Sequence, residues 1–226
     1  MSARDIKVYQ NLMGENEKWA GHIRALRRSH GIAMLNLIGS PGSGKTALLE
    51  AMVHALGDMS RIAVLEGDVA TTNDARRLDE LDVTVAQLLS NGACHLEAKL
   101  VHRAMSDLDL DALDMVIVEN VGNLVCPAEF DVGEDAKVAV LSVTEGEDKP
   151  LKYPLLFQEA GCAIVSKIDL VPHLEFDIDA CRANIGHVNP RIPVFSLSSR
   201  SGEGMQAWLS WIREKLDHAQ STATGS

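Results

Sequence analysis

Residues 39–46, Gly39-Ser40-Pro41-Gly42-Ser43-Gly44-Lys45-Thr46, are spaced to hold a phosphate chain. Gly39, Gly42 and Gly44 let successive backbone N–H groups turn inward on an anion, with Ser43 between them, and a following helix would add its N-terminal dipole. Lys45 would reach the β- and γ-phosphates as a point charge, and the Thr46 hydroxyl would sit on Mg²⁺. Two acids could complete that site. Asp68 follows the apolar run 61–66, and Glu119 closes the apolar run 115–118. Asp68 could hold Mg²⁺ or orient the attacking water, although an acid there could also cap a helix. Three residues beyond Glu119, Gly122 can offer a bare N–H to a γ-phosphate, as a switch loop does.

Two further constellations stand apart from the phosphate loop. Ser166-Lys167-Ile168-Asp169 resembles the N-K-x-D motif that reads guanine. There the Asp accepts two hydrogen bonds from the base and the Lys stem covers the ring. Adenine lacks that donor pair, so GTP is expected over ATP. Ser198 and Ser199 match the later base loop in part. Cys94, His95 and Cys126 supply thiol and imidazole, ligands of Zn²⁺ that also suit Ni²⁺. Three ligands leave the sphere incomplete. The competing reading is a helix-capping His95 beside buried, inert cysteines, and Cys162 and Cys181 read as structural in any case. Cys126 falls in the loop that begins at Glu119, so a ligand there would move with the γ-phosphate.

These residues need strands ending at one edge. The apolar runs at 32–38, 61–66, 83–89, 115–118, 137–143, 163–165 and 192–195 read as strands. Helical patterns lie between them, including 177–187 and a closing helix with Met205, Trp208, Leu209, Ile212 and Leu216 on one stripe. Alternation of this kind implies an α/β fold, a mostly parallel sheet with helices on both faces. Residues 1–29 read as a helical arm interrupted by Gly14 and Gly21, with Arg24, Arg27 and Arg28 on a solvated face. Residues 30–218 read as the nucleotide domain, and 219–226 as a disordered tail.

A chain of 226 residues with a formal net charge of -11 can bury one sizeable core, and it is a poor match for a nucleic-acid backbone or an anionic membrane. No apolar run is long enough to span a bilayer, and the N-terminus lacks the apolar core of a signal peptide. Four scattered cysteines suit a reducing cytoplasm.

Four stretches together resemble the HypB family of SIMIBI-class P-loop GTPases, which assist nickel insertion into [NiFe]-hydrogenase. They are the phosphate loop, C-H-L-E-A at 94–98, E-N-V-G-N-L-V-C-P-A-E-F-D at 119–131 and S-V-T-E-G-E-D-K-P-L-K-Y-P at 142–154. The likeness spans about residues 30–216. It implies GTP/GDP and Mg²⁺ at Lys45, Thr46, Asp68 and Glu119. It also implies Ni²⁺ or Zn²⁺ at Cys94, His95 and Cys126, across a homodimer interface that GTP favours. The Lys149–Lys152 segment would lie near the nucleotide or that interface. The implied partners are a hydrogenase large-subunit precursor and other nickel-maturation chaperones. Three departures stand out: Ser166 replaces Asn, Val69-Ala70 is unusual for the switch, and the arm has no cysteine cluster or histidine run. The related urease GTPase UreG carries a Cys-Pro-His motif that is absent here. Slow turnover is expected, because no arginine finger is evident. Two rivals are a small-molecule kinase, which would need an arginine-rich lid, and a metal-binding module whose nucleotide site only holds the fold together.

Overall fold

The seven apolar runs form strands β1 (Ala33–Gly39), β2 (Ile62–Glu66), β3 (Thr84–Gln87), β4 (Met115–Glu119), β5 (Ala136–Ser142), β6 (Ala160–Ser166) and β7 (Val194–Ser196). In the computed structural model, which describes residues 3–57, 61–67, 83–89 and 92–224, they make one sheet. Its order is β3-β2-β4-β1-β5-β6-β7, and every pairing is parallel. Strands β1, β2, β4 and β5 are buried at every position. That explains their continuous apolar reading: a parallel sheet covered on both faces has no solvent side to alternate with. The chain leaves β1 toward one side of the sheet and later crosses to the other, so the carboxyl end of β1 lies at the topological switch point, where such sheets bind ligands.

The covering helices are α1 (Ala3–Ser29), α2 (Lys45–Leu56), α3 (Ala98–Ser106), α4 (Cys126–Glu129), α5 (Lys149–Lys152), α6 (Pro154–Glu159), α7 (Ile178–Val188) and α8 (Met205–Thr224). Leu35, Leu37, Val64 and Ile117 pack under Leu48 and Met52 of α2 and Trp208 and Ile212 of α8. On the other face Met34, Val116 and Val118 meet Ala20 and Ile23 of α1 and Val101 and Met105 of α3. Beside them Ala139, Leu141 and Val165 meet Phe157 of α6 and Ile185 of α7. Each large side chain buried in this way stabilises the fold by about 1.5–3 kcal/mol.

The arm and the tail depart from their sequence readings. Helix α1 runs unbroken through Gly14 and Gly21, where nothing lies within 4 Å of a would-be Cβ. Of its arginines, Arg28 is exposed as expected, but Arg24 and Arg27 are not on a solvated face. Arg27 is 5% exposed; its Nη1 pairs with Asp135 at 2.5 Å and its Nε donates to the Gly133 carbonyl at 2.8 Å. Arg24 pairs with Asp131 and Glu17. Residues 219–224 are helical rather than disordered, because α8 continues to Thr224 with Ala219 buried. Small side chains let the helix end close over the turn before β1: a Cβ on Gly31 (φ +67°) would stand 3.2 Å from the Ala223 Cβ. Residues 225–226 lie outside the described residues.

Candidate functional site

Strand β1 ends at Gly39 and α2 begins at Lys45, so the phosphate loop bridges a strand end and a helix start. Gly42 (φ +74°) and Gly44 (φ +96°) take left-handed conformations that the turn requires. At Gly39 the need is close approach: a Cβ would lie 2.5 Å from both Ser43 Oγ and the Val140 carbonyl. Lys45 is 4% exposed and its Nζ donates to the carbonyls of Gly39 and Ser40, at 3.4 Å each. Thr46 Oγ1 donates to Glu119 Oε1 at 2.7 Å. A hydroxyl and a carboxylate side by side are hard oxygen donors of the kind Mg²⁺ takes. Glu119 is buried and in register with Leu37 on one side and Glu66 on the other. Glu66, buried too, was not singled out from sequence, although it closes an apolar strand just as Glu119 does. Gly122 packs on the phosphate loop, since a Cβ there would meet Pro41 Cγ at 2.8 Å. Asp68 and Val69-Ala70 lie outside the described residues.

The second constellation closes over the same loop. Ser166 Oγ donates to the Ser43 carbonyl at 2.6 Å, and Lys167 Nζ donates to the Gly42 carbonyl at 2.6 Å. The hydroxyl at 166 thus supplies a tie from the base loop to the phosphate loop where Asn was expected. Asp169 Oδ1 accepts from Ser198 Oγ at 2.6 Å, and Ser198 Oγ in turn accepts the backbone N–H groups of Arg200 and Ser201. Residues 42–46, 166–169 and 198 form one rim above the ends of β1 and β6.

Cys94 and His95 precede α3, and Cys126 opens α4. The Cys94 thiol donates to the Cys126 sulfur at 2.7 Å, His95 Nδ1 lies 3.7 Å from Cys94 Sγ, and the three donor atoms all fall within 4.8 Å of one another. The His95 ring stacks on Phe130 with centroids 3.8 Å apart, and its Nε2 is buried without a hydrogen-bond partner. Its Nδ1 faces Cys94 Sγ, and the Ala98 N–H at the start of α3 is taken by Asn16 Oδ1, so the ring does not cap that helix. Burial lowers the His95 pKa against the pull of Glu97 and Glu129, which favours the neutral, ligating imidazole. The shared proton with Cys126 raises the Cys94 pKa, and burial adds to it; a metal ion would take that proton's place. Two sulfurs and a nitrogen fit Zn²⁺ or Ni²⁺ and leave room for a further ligand. Cys162 and Cys181 are fully buried, and burial pushes both thiols up, Cys181 to about 12.

Asparagines join the Cys94–His95–Cys126 cluster to the phosphate-loop strands, a link the sequence pattern does not signal. Asn120, 1% exposed, accepts on Oδ1 from the N–H groups of Leu96 (3.2 Å) and Val121 (2.9 Å) and donates from Nδ2 to Asn36 Oδ1 at 3.1 Å. Asn123 Nδ2 donates to the Cys94 carbonyl at 3.1 Å. Leu96 also presses on Gly67, where a Cβ would lie 2.4 Å from its Cδ1. Asn36 had a signal, being the polar exception in an apolar strand.

From Asn36 the chain of bonds reaches Glu134, whose Oε1 accepts from Asn36 Nδ2 at 3.2 Å and whose Oε2 accepts from the Val132 N–H at 2.7 Å. Desolvation, with the Asp131 charge behind it, raises the Glu134 carboxyl from 4.5 to about 7. Between those values the folded chain keeps a proton that the unfolded chain has lost, so stability is expected to fall as pH rises through the window. The expected loss is on the order of 3 kcal/mol, and Glu134→Gln should flatten the slope. Urea melts at several pH values between the two would read it; equal slopes in both chains would refute it.

The family profile described as "CobW/HypB/UreG, nucleotide-binding domain" matches residues 33–196. The hydrogenase maturation factor HypB of Azotobacter vinelandii is 47% identical over 213 residues, covering 94% of this chain and 70% of that protein. Among solved structures, HypB of Helicobacter pylori in complex with nickel superposes with a TM-score of 0.85 at 35% identity, covering 90% of this chain and 96% of that one. The hydrogenase maturation factor HypB of Archaeoglobus fulgidus also reaches 0.85, at 30% identity over 90% of this chain and 99% of that one.

Proposed function

Since this chain belongs to the CobW/HypB/UreG family of nucleotide-binding domains, and within it to the hydrogenase maturation factors HypB, we propose that it is a GTPase that carries Ni²⁺ toward a [NiFe]-hydrogenase. Family membership favours this reading over a small-molecule kinase. The observation that carries the proposal is the short span from Glu119 to Cys126. Its first residue touches Thr46, Gly122 packs on Pro41, Asn120 and Asn123 bond to the Cys94–Leu96 loop, and its last residue is a metal-ligand candidate. A γ-phosphate that draws Gly122 toward the phosphate loop therefore pulls on the thiol cluster.

In this reading the turned-in N–H groups and Lys45 hold the phosphates, where they stabilise charge that develops during transfer. Mg²⁺, held by Thr46 and Glu119 with Asp68, would supply further positive charge at the β- and γ-oxygens. Asp68 orients the attacking water. Lys167 and Asp169, with Ser198 behind the carboxylate, read guanine. Cys94, His95 and Cys126 take Ni²⁺ as cargo, or Zn²⁺ in the same donors, and the incomplete sphere is filled by a second copy in a homodimer that GTP favours. The nickel complex of the H. pylori relative supports nickel as the cargo. Recipients are a hydrogenase large-subunit precursor and companion maturation chaperones, and the setting is the cytoplasm, where the thiols stay reduced. Among the described residues no helix is long and apolar enough to cross a membrane.

Linkage sets the test. If GTP changes the affinity for Ni²⁺, Ni²⁺ must change the affinity for GTP by the same factor. Titration of the reduced protein with Ni²⁺ in GDP and in a non-hydrolysable GTP analogue is expected to give dissociation constants that differ about 5–150-fold. Equal constants would remove the coupling.

A further inference from the structure

Helix α1 touches both arms of the thiol cluster, and one side chain does so by hydrogen bonds to each. Asn16, 9% exposed, accepts on Oδ1 from the Ala98 N–H at 2.9 Å and donates from Nδ2 to the Asp131 carbonyl at 2.7 Å. Ala98 is the first residue of α3, three past His95. Its preceding residue, Glu97, makes no side-chain cap, so the first turn of α3 takes its cap from a different helix. Asp131 follows Phe130, the residue on which the His95 ring stacks, and lies five past Cys126. The amide therefore spans the two segments that carry the donor atoms. Neighbouring contacts hold α1 in place for this. Lys99 reaches Glu15 at 3.4 Å, Arg27 holds the Gly133 carbonyl, and Gly133 has no Cβ because Ile23 would stand 2.6 Å from it. Asn16, Trp19, His95, Glu97 and Phe130 also line one cavity, of about 250 Å³, that opens beside the imidazole.

We propose that Asn16 is a positioning residue for the Ni²⁺/Zn²⁺ donors, setting the distance between the Cys94-His95 loop and the Cys126–Phe130 turn. The inference rests on the metal-carrier reading above. A donor set split between two loops binds a small cation well only if their separation is fixed beforehand, and outer residues that fix ligands typically shift metal affinity about 10–100-fold. The amide is suited to the task because it offers a donor and an acceptor at once; Asp at 16 keeps the acceptor and loses the donor, and Ala loses both.

The test compares the full-length reduced protein with Asn16→Ala and Asn16→Asp. Three readouts are taken: Ni²⁺ affinity by chelator competition, the thiolate-to-nickel absorption band, and GDP affinity. Asn16→Ala is expected to weaken Ni²⁺ binding about 10–100-fold and shift the band, with GDP binding unchanged. Asn16→Asp should fall between, and it carries the test if the alanine chain does not bind GDP and so has not folded. Wild-type affinity and an unshifted band in a variant that binds GDP overturn the inference. Metal binding by the parent chain that ignores Cys126→Ala instead overturns the reading beneath it, and the two failures are thereby told apart.

Discussion

Lys45→Ala is expected to lower GTP hydrolysis by about 10²–10³-fold, the usual loss when one preorganised charge is taken from a phosphoryl-transfer site. The side chain is buried at the mouth of the loop, and its ammonium group makes long bonds to the Gly39 and Ser40 carbonyls, 3.4 Å each. Contacts of that length are weak and readily exchanged for phosphate oxygens. Truncation removes the charge while Gly42, Gly44 and the Ser166–Ser43 tie keep the loop's shape. Phosphate release under saturating GTP, beside a thermal melt to show that the fold survives, checks it. Undiminished turnover in a folded variant would mean that the hydrolysis comes from elsewhere, and would favour a chain whose nucleotide site is structural.

The second large effect is expected at Cys126. Its replacement by alanine should weaken Ni²⁺ and Zn²⁺ binding on the order of 100-fold or more, since one of three donors is gone and two donors do not enclose a divalent cation. The same change removes the partner that shares the Cys94 proton, so the Cys94 pKa should fall toward its ordinary value and alkylation at neutral pH should speed up. Metal titration on reduced protein reads the first effect and the rate of iodoacetamide labelling the second. A shared interfacial site predicts about one metal per two chains. Cys181→Ala serves as the control: that thiol, on the buried face of α7, lies in the core and should leave metal binding untouched. Binding that survives in the Cys126 variant would take the residue out of the site.

The fold was legible because its signals are local. Strands buried on both faces read as apolar runs, and the glycine spacing of the phosphate loop prescribes its own conformation. The three residues whose thiols and imidazole come together were legible as a list, since thiols and imidazoles are few. What joins the parts was not. Asn16, Asn120 and Asn123 are single polar residues without periodicity, and their partners lie on other elements: Asp131 for Asn16, Leu96 for Asn120 and Cys94 for Asn123. Arg27 looked solvated because Asp135 lies far along the chain. The tail looked disordered because Ser, Thr and Gly are poor helix formers, whereas tertiary contact with Gly31 favours the helix. Asp68, proposed from its place after a strand, lies outside the described residues.

The order of strands also sets when the site can come into being. Strand β1, which carries the phosphate loop, has no near neighbour in sequence: Ala33 pairs with Met115 and Leu35 with Ala136. Sheets closed by such distant contacts form slowly, because the loop entropy is lost before the pairing energy is gained. A nascent chain still short of β4 has made Gly39–Thr46, Cys94 and His95 but lacks the strand that anchors Glu119 and the turn that brings Cys126. The growing polypeptide therefore carries Cys94 and His95 without Cys126 and has no assembled thiol–imidazole cluster. Any metal capture by these three residues is expected only of the finished domain, once the central strands have paired with one another.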